Sequence, residues 1–211
     1  MKSFSLAQPL VIMMLGLPGA GKSFFARQFS ETFSAPLVSL DRIRYELFAE
    51  PKFSKDEELV VERLALHQIE ELFKSHKTFI VDGAASTRVS RTIIERMANK
   101  RGYGRLIIWV QTDEQTTLSR SLHRKEGRLY DEFNTPLSAE LYQRLAKRIT
   151  PPSPVEQTIV ISGKHTYAAQ SKMVLQKLAG TPQQPTDPQT PRPRPPVIGE
   201  RTRSKQSIIV Q

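Results

Sequence analysis

No cysteine occurs among the 211 residues. Disulfides, zinc–thiolate centres and a thiol nucleophile are therefore excluded, and a reducing, cytoplasmic setting is the expectation. Aromatic side chains are scarce at 8%, and an apolar fraction of 38% is low for a chain packed along its whole length. Part of the chain is thus expected to stay outside any core. Long apolar runs are missing as well. The longest, Leu10–Leu15, is far too short to span a bilayer, so no membrane partner is expected. Lying just behind Lys2, this run superficially looks like a signal peptide, but cleavage there would remove the glycine-rich stretch that follows it; that argues against such a reading. Negative charge is also in deficit. Lys plus Arg number 31 against 21 for Asp plus Glu, a net +10, which favours polyanionic partners such as nucleotides, nucleic acid or an anionic surface.

What is present is Gly16-Leu17-Pro18-Gly19-Ala20-Gly21-Lys22-Ser23, a G-x-x-x-x-G-K-S stretch. Before it, Leu10–Leu15 suits a fully buried strand; after it, Phe24, Phe25 and Phe29 recur at helical spacing. Strand, glycine loop and helix are the setting that a phosphate-binding loop requires. Glycines let several backbone N–H groups converge on a phosphate chain at the positive end of a helix. In that chemistry Lys22 reaches the β- and γ-phosphates and the Ser23 hydroxyl ligates Mg²⁺. The expected ligand is ATP with Mg²⁺, cradled by Gly16, Pro18, Gly19, Ala20, Gly21, Lys22, Ser23 and Phe24.

Further strands are expected at 37–40, 78–81, 106–110 and 158–161, alternating with helices at 42–49, 55–74, from 86 or 87 to 100, 113–124, 138–149 and 167–178. In the long helix at 55–74 the apolar positions are 59, 60, 64, 66, 69, 72 and 73. Alternation of this kind implies right-handed βαβ units and a five-stranded parallel sheet with helices on both faces, an α/β fold of the P-loop NTPase type. Gly16, Asp41 and Asp82 each fall at the carboxyl end of a strand, where ligands of such sheets bind.

Asp41 and Arg44 form the second constellation. With a helix starting at Asp41, both residues face the crevice. A carboxylate there can take the proton of an attacking hydroxyl, and a guanidinium can grip a phosphate or carboxylate of the acceptor. As a plain helix cap Asp41 would want Glu or Gln at position 44, and Arg44 is neither. Asp82 can hold Mg²⁺ through water or simply open an Asp-Gly turn. Arg88 and Arg91 begin the next helix, where a substrate contact, with Arg91 the candidate, and a solvated face are both open. Histidines 67, 76, 123 and 165 show no metal-ligand spacing.

The order of strand, G-x-x-x-x-G-K-S and Asp41-x-x-Arg44 resembles the P-loop kinases related to polynucleotide 5′-hydroxyl kinase, with zeta toxins and chloramphenicol phosphotransferases as cousins. The resemblance covers residues 10–179 as an order of elements, and only the loop is highly specific. It implies that Asp41 is the general base and that Arg44 engages the acceptor, and it offers steadying of that arginine as the alternative role for Asp82. It also implies a small helical lid whose arginines close on the ATP phosphates. Arg120 and Arg124, four apart, and then Arg128 fall there, with Arg124 preferred. The expected activity is Mg²⁺–ATP-dependent transfer to a hydroxyl, catalysed by Lys22, Asp41 and Arg124, with a nucleic-acid 5′-hydroxyl or nucleoside-like acceptor first. A nucleotide sugar or antibiotic acceptor is the alternative, as is an ATP-binding module that engages nucleic acid or protein through a basic tail. The sequence assigns no oligomeric state.

Residues 1–180 are expected to form the kinase domain and 181–211 a disordered tail. Seven of the 15 prolines and no aromatic residue lie in that tail, with Pro191–Pro196 favouring an extended polyproline helix. It carries five basic and two acidic residues, leaving 26 and 19 before it, an excess of seven. Deleting 181–211 should therefore leave the melting temperature and ATP affinity nearly unchanged while weakening heparin binding at low salt. A large fall in melting temperature would show that the tail docks.

Overall fold

The computed structural model describes residues 8–124, 133 and 135–180. Residues Met1–Gly180 cluster as one compact unit; the expected tail at 181–211 lies outside the described residues. The chain runs β1 (Leu10–Leu15), α1 (Lys22–Phe33), β2 (Leu37–Ser39), α2 (Leu40–Leu47), α3 (Lys55–Lys74), β3 (Phe79–Asp82), α4 (Arg88–Lys100), β4 (Gly104–Gln111), α5 (Glu114–Leu122), α6 (Ala139–Lys147), β5 (Thr158–Ser162) and α7 (Tyr167–Gly180). All four strand pairings are parallel, in the order β2-β3-β1-β4-β5. The expected α/β architecture is thus borne out. Because the chain leaves β1 toward one side and later returns to its other side, β1 marks the switch point at which such sheets bind ligands.

Alternation along β1 divides the core. Val11, Met13 and Leu15 join Ile69 and Phe73 of α3 and Ile94 of α4 on one face. Ile12 and Met14 join Phe25 and Phe29 of α1 and Val174 of α7 on the other. Both faces are buried, so β1 reads as an unbroken apolar run. Each fully buried side chain of this size contributes about 1.5–3 kcal/mol, which fixes β1 and the loop that follows it.

Helix boundaries account for two departures from the sequence expectation. Ser39 caps α2 by accepting from the Arg42 N–H at 3.3 Å, so the helix begins at Leu40 and Asp41 lies in its first turn. Asp113 caps α5, but that helix ends at Leu122; Arg124 lies beyond it rather than one turn after Arg120 on a shared face. In α3 the buried positions are Val61, Ala65, Ile69 and Phe73, four apart, whereas Leu59, Val60 and Leu64 are exposed. The apolar residues of that helix span more than one stripe, and only the row facing the sheet is covered.

Arg91 corrects a third expectation: it is neither solvated nor a substrate contact. It is buried, with Nε and Nη2 on the Glu156 carboxylate at 2.6 and 3.2 Å. Nη1 donates to the carbonyls of Ala85 and Thr150, and Nη2 also to Pro151. The pair therefore pins the start of α4 to the chain before β5. Arg91 holds the Glu156 carboxyl down to about 2. A depressed carboxylate stabilises the fold above its ordinary value, about 4.3, and loses that contribution as pH falls through its folded one. Arg91→Met should cost about 1–3 kcal/mol in urea unfolding at neutral pH, because it leaves the half-buried Glu156 carboxylate without its arginine and the Ala85 and Thr150 carbonyls without their donor. The deficit should shrink between about pH 5 and pH 2.

Candidate active site

The loop between β1 and α1 is shaped by close backbone approach. Gly16 has φ +146°, and a Cβ there would stand 2.3 Å from the Val110 carbonyl oxygen of β4. Gly19 has φ +77°, and its Cβ would stand 2.4 Å from the Thr117 carbonyl oxygen of α5. No L side chain fits either position. Helix α1 then starts on Gly21 with no side-chain cap, in contrast to α2, α3, α4, α5 and α6, which Ser39, Ser54, Thr87, Asp113 and Ser138 cap. Its first N–H groups are thus left for an anion. Lys22 lies over the loop, donating from Nζ to the Leu17 carbonyl at 2.9 Å. Burial pushes its ammonium below the ordinary lysine value; Asp82 and Asp41 pull it back without winning, and Arg124 adds to the lowering. Ser23 and the exposed Phe24 ring line the same crevice. Ala20 does not. Its side chain is buried, its N–H goes to the Leu17 carbonyl at 3.1 Å, and its own carbonyl accepts from the Thr112 hydroxyl. The expectation that Ala20 contacts ligand is corrected on that ground.

Opposite the loop stand two carboxylates. Asp82 ends β3 beside Ser39, and Asp41 follows in the first turn of α2. Asp41 keeps part of its surface open to the crevice, yet surrounding protein atoms push its carboxyl above the usual range. The Asp82 charge raises it further, against Lys22, Arg124 and Arg44. Asp82 is buried, and its Oδ1 has no hydrogen-bond partner among the described residues. Such an atom needs a donor or a cation, and with the Ser23 hydroxyl on the same crevice it fits hydrated Mg²⁺.

The arginines divide by role. Arg120 lines the crevice while donating to the Gly163 carbonyl at 3.1 Å, which ties α5 to the loop after β5. Arg124 also lines the crevice, and its charge is felt at both Lys22 and Asp41. Arg128 lies outside the described residues. Arg44 is buried, with its guanidinium over the Phe53 ring at 4.6 Å and Nη1 3.7 Å from Glu57 Oε2. Among the described residues its Nε and Nη1 make no hydrogen bond, although Glu57 already balances the charge. Beyond it the crevice is walled by Glu58, Glu62 and Arg148 and by the hydroxyls of Thr87 and Ser90. Arg148 pairs with Glu58, and Arg144 donates to the Phe53 carbonyl at 3.0 Å, so α6 braces this end. Burial and the neighbouring Glu58 charge raise the Glu62 carboxyl. The whole crevice encloses about 730 Å³, within the range of small-molecule sites.

The AAA domain family matches residues 11–152, more than half of the chain. The chain belongs to that family. No curated protein matches it. A gluconokinase from Sinorhizobium meliloti is similar at 21% identity with a TM-score of 0.58, covering 81% of this chain and 92% of its own. The APS kinase of Mycobacterium tuberculosis, solved with AMPPNP and APS, is similar at 16% identity and a TM-score of 0.57, covering 82% and 99%. Kti12 of Chaetomium thermophilum, solved with ADP-AlF3, is similar at 18% identity and a TM-score of 0.57, covering 80% and 97%. These likenesses bear out the fold of P-loop kinases and do not single out the polynucleotide kinases or zeta toxins. Among the described residues no helix is long and apolar enough to cross a membrane.

This AAA domain brings Gly16, Pro18, Gly19, Gly21, Lys22, Ser23, Phe24, Asp41, Arg44, Asp82, Arg120 and Arg124 to one crevice. Phe53, Glu58, Glu62 and Arg148 were missed; for the last three the signal was a pair of facing rows, Glu58/Glu62 and Arg144/Arg148, each four apart. Gly19→Ala tests the cradle. Backbone strain alone is about 1–3 kcal/mol, so ATP affinity should fall by about tenfold or more. At Gly102 a Cβ meets nothing within 4 Å, so Gly102→Ala should leave affinity unchanged.

Proposed function

We propose that this protein is a Mg²⁺–ATP-dependent kinase that transfers the γ-phosphate to a hydroxyl of a small polar acceptor. One observation carries the reading: a carboxylate with raised proton affinity, Asp41, faces the phosphate loop across a crevice that Arg44 also lines. The acceptor O–H gives its proton to Asp41 as its oxygen bonds the γ-phosphorus, and the bond from phosphorus to the bridging β–γ oxygen breaks, releasing ADP. Lys22 and Arg124 hold the phosphate oxygens as charge moves onto the leaving group. Bound Mg²⁺, held by Ser23 and by Asp82 through water, would neutralise phosphate charge.

The acceptor end favours a small molecule. Asp41, Asp82, Glu58 and Glu62 line it against Arg44 and Arg148, each of which already has a glutamate partner. A polynucleotide would bring further phosphates toward these acids, whereas hydroxyls and amines of a compact acceptor would be welcome. The net charge of +10 supports the second reading, a nucleic-acid 5′-hydroxyl approaching from outside.

Asp41→Asn is the test. Because Ser39 rather than Asp41 caps α2, stability should change by less than about 1 kcal/mol. ATP affinity should persist, and transfer should fall by about 10²–10⁴. Transfer at the wild-type rate would remove Asp41 as the base. In the wild type, Asp41 must be ionised to accept the proton and its pKa is raised. The kcat/KM profile should therefore climb with pH through a value above the ordinary carboxylate range, and this limb should vanish in Asp41→Asn. A flat profile across that range would contradict the assignment.

A further inference from the structure

One buried side chain on the crevice has no part in phosphate or acceptor chemistry. Gln170 lies in the first turn of α7 and is 3% exposed. Its Nε2 donates to the Ser162 carbonyl at the end of β5 at 2.7 Å. A backbone carbonyl only accepts, so this bond fixes which way round the amide sits. The other amide atom, Oε1, is then a committed acceptor. It is buried and has no hydrogen-bond partner among the described residues, and the residue lines the crevice with Gly163, Lys164, His165 and Phe24. A buried acceptor left without a donor is costly, and a ligand N–H would supply one.

Position identifies the donor. The γ-phosphate end of a bound triphosphate points to Asp41 and Asp82, so the nucleoside extends the opposite way, past Phe24 and Arg120 to the loop after β5. That loop is held against the phosphate loop: a Cβ on Gly163 would stand 2.0 Å from the Ala20 carbonyl oxygen. The Phe24 ring, 46% exposed, offers an apolar face for a planar base.

We infer that Gln170 reads the nucleobase, its Oε1 accepting an N–H from a 6-amino group and so selecting adenine over 6-oxopurines. A 6-oxo group would set two acceptors against each other. The inference rests on the nucleotide-site reading above, and it names a specificity-determining residue on the base side, remote from Asp41.

ATP and ITP differ at the purine 6-substituent, so their binding to the full-length protein with Mg²⁺, measured by calorimetry, isolates this contact. Tripolyphosphate reports the phosphate loop alone. The wild type should bind ATP at least about tenfold tighter than ITP. Gln170→Met keeps length and apolar packing but removes the amide; it should bring the ratio near one by weakening ATP, with tripolyphosphate unchanged. Equal binding of ATP and ITP by the wild type, or an unchanged ratio in Gln170→Met, would overturn the inference while leaving the phosphate site standing. Equal losses for all three ligands in Gln170→Met would show a purely structural role and would also overturn it. If neither nucleotide nor tripolyphosphate binds the wild type, the phosphate site itself fails and the base reading with it.

Discussion

Backbone packed directly on backbone around the phosphate loop is the constraint on which the site depends. Gly16 lies against a β4 carbonyl, Gly19 against an α5 carbonyl, and Gly163 against the carbonyl of Ala20. Contacts at this range leave no room for adjustment, so the loop takes its shape from three separate elements. Helix α5 is itself held from behind, where the buried Tyr142 hydroxyl of α6 shares a 2.7 Å hydrogen bond with Thr117. The same α6 reaches Phe53 and Glu58 on the acceptor side. One short helix thus contacts both the helix behind the cradle and the wall facing it.

Charge supplies the second constraint. Burying Lys22, Asp41 and Asp82 together would be costly for any one of them alone. Attraction between Lys22 and the two carboxylates recovers part of the cost while the carboxylates repel each other, and burial leaves the lysine with lowered and Asp41 with raised proton affinity. In the proposed reading, a phosphate chain would give the loop N–H groups and Lys22 an anionic partner, and a cation would give one to Asp82 Oδ1. The crevice is organised around groups it does not itself contain.

Much of this was legible in the chain. The buried strands are continuous apolar runs, the loop has its glycines at fixed spacing, and Asp41 and Asp82 sit at strand ends, so local pattern placed them in one crevice. What escaped depended on partners distant in sequence. Arg91 opens a helix among polar residues and reads as solvated; only Glu156, brought in from 65 residues away, buries it. The α5 end is set by where its last turn stops and not by the spacing of Arg120 and Arg124. Phe53 takes a positive φ under Arg44, which no periodicity announces. Gln170 looks like any polar residue on an amphipathic helix until the Ser162 carbonyl fixes its amide.

The central claim is that the crevice moves the γ-phosphate to a small hydroxyl-bearing molecule. The direct measurement is transfer of label from γ-labelled ATP across a panel of sugars, sugar acids, nucleosides, nucleotide sugars, aminoglycosides and 5′-hydroxyl oligonucleotides, with wild type and Asp41→Asn in parallel. Covalent label on a small acceptor, dependent on Asp41, is the predicted result. Label appearing solely as inorganic phosphate, or solely on the oligonucleotides, would contradict it.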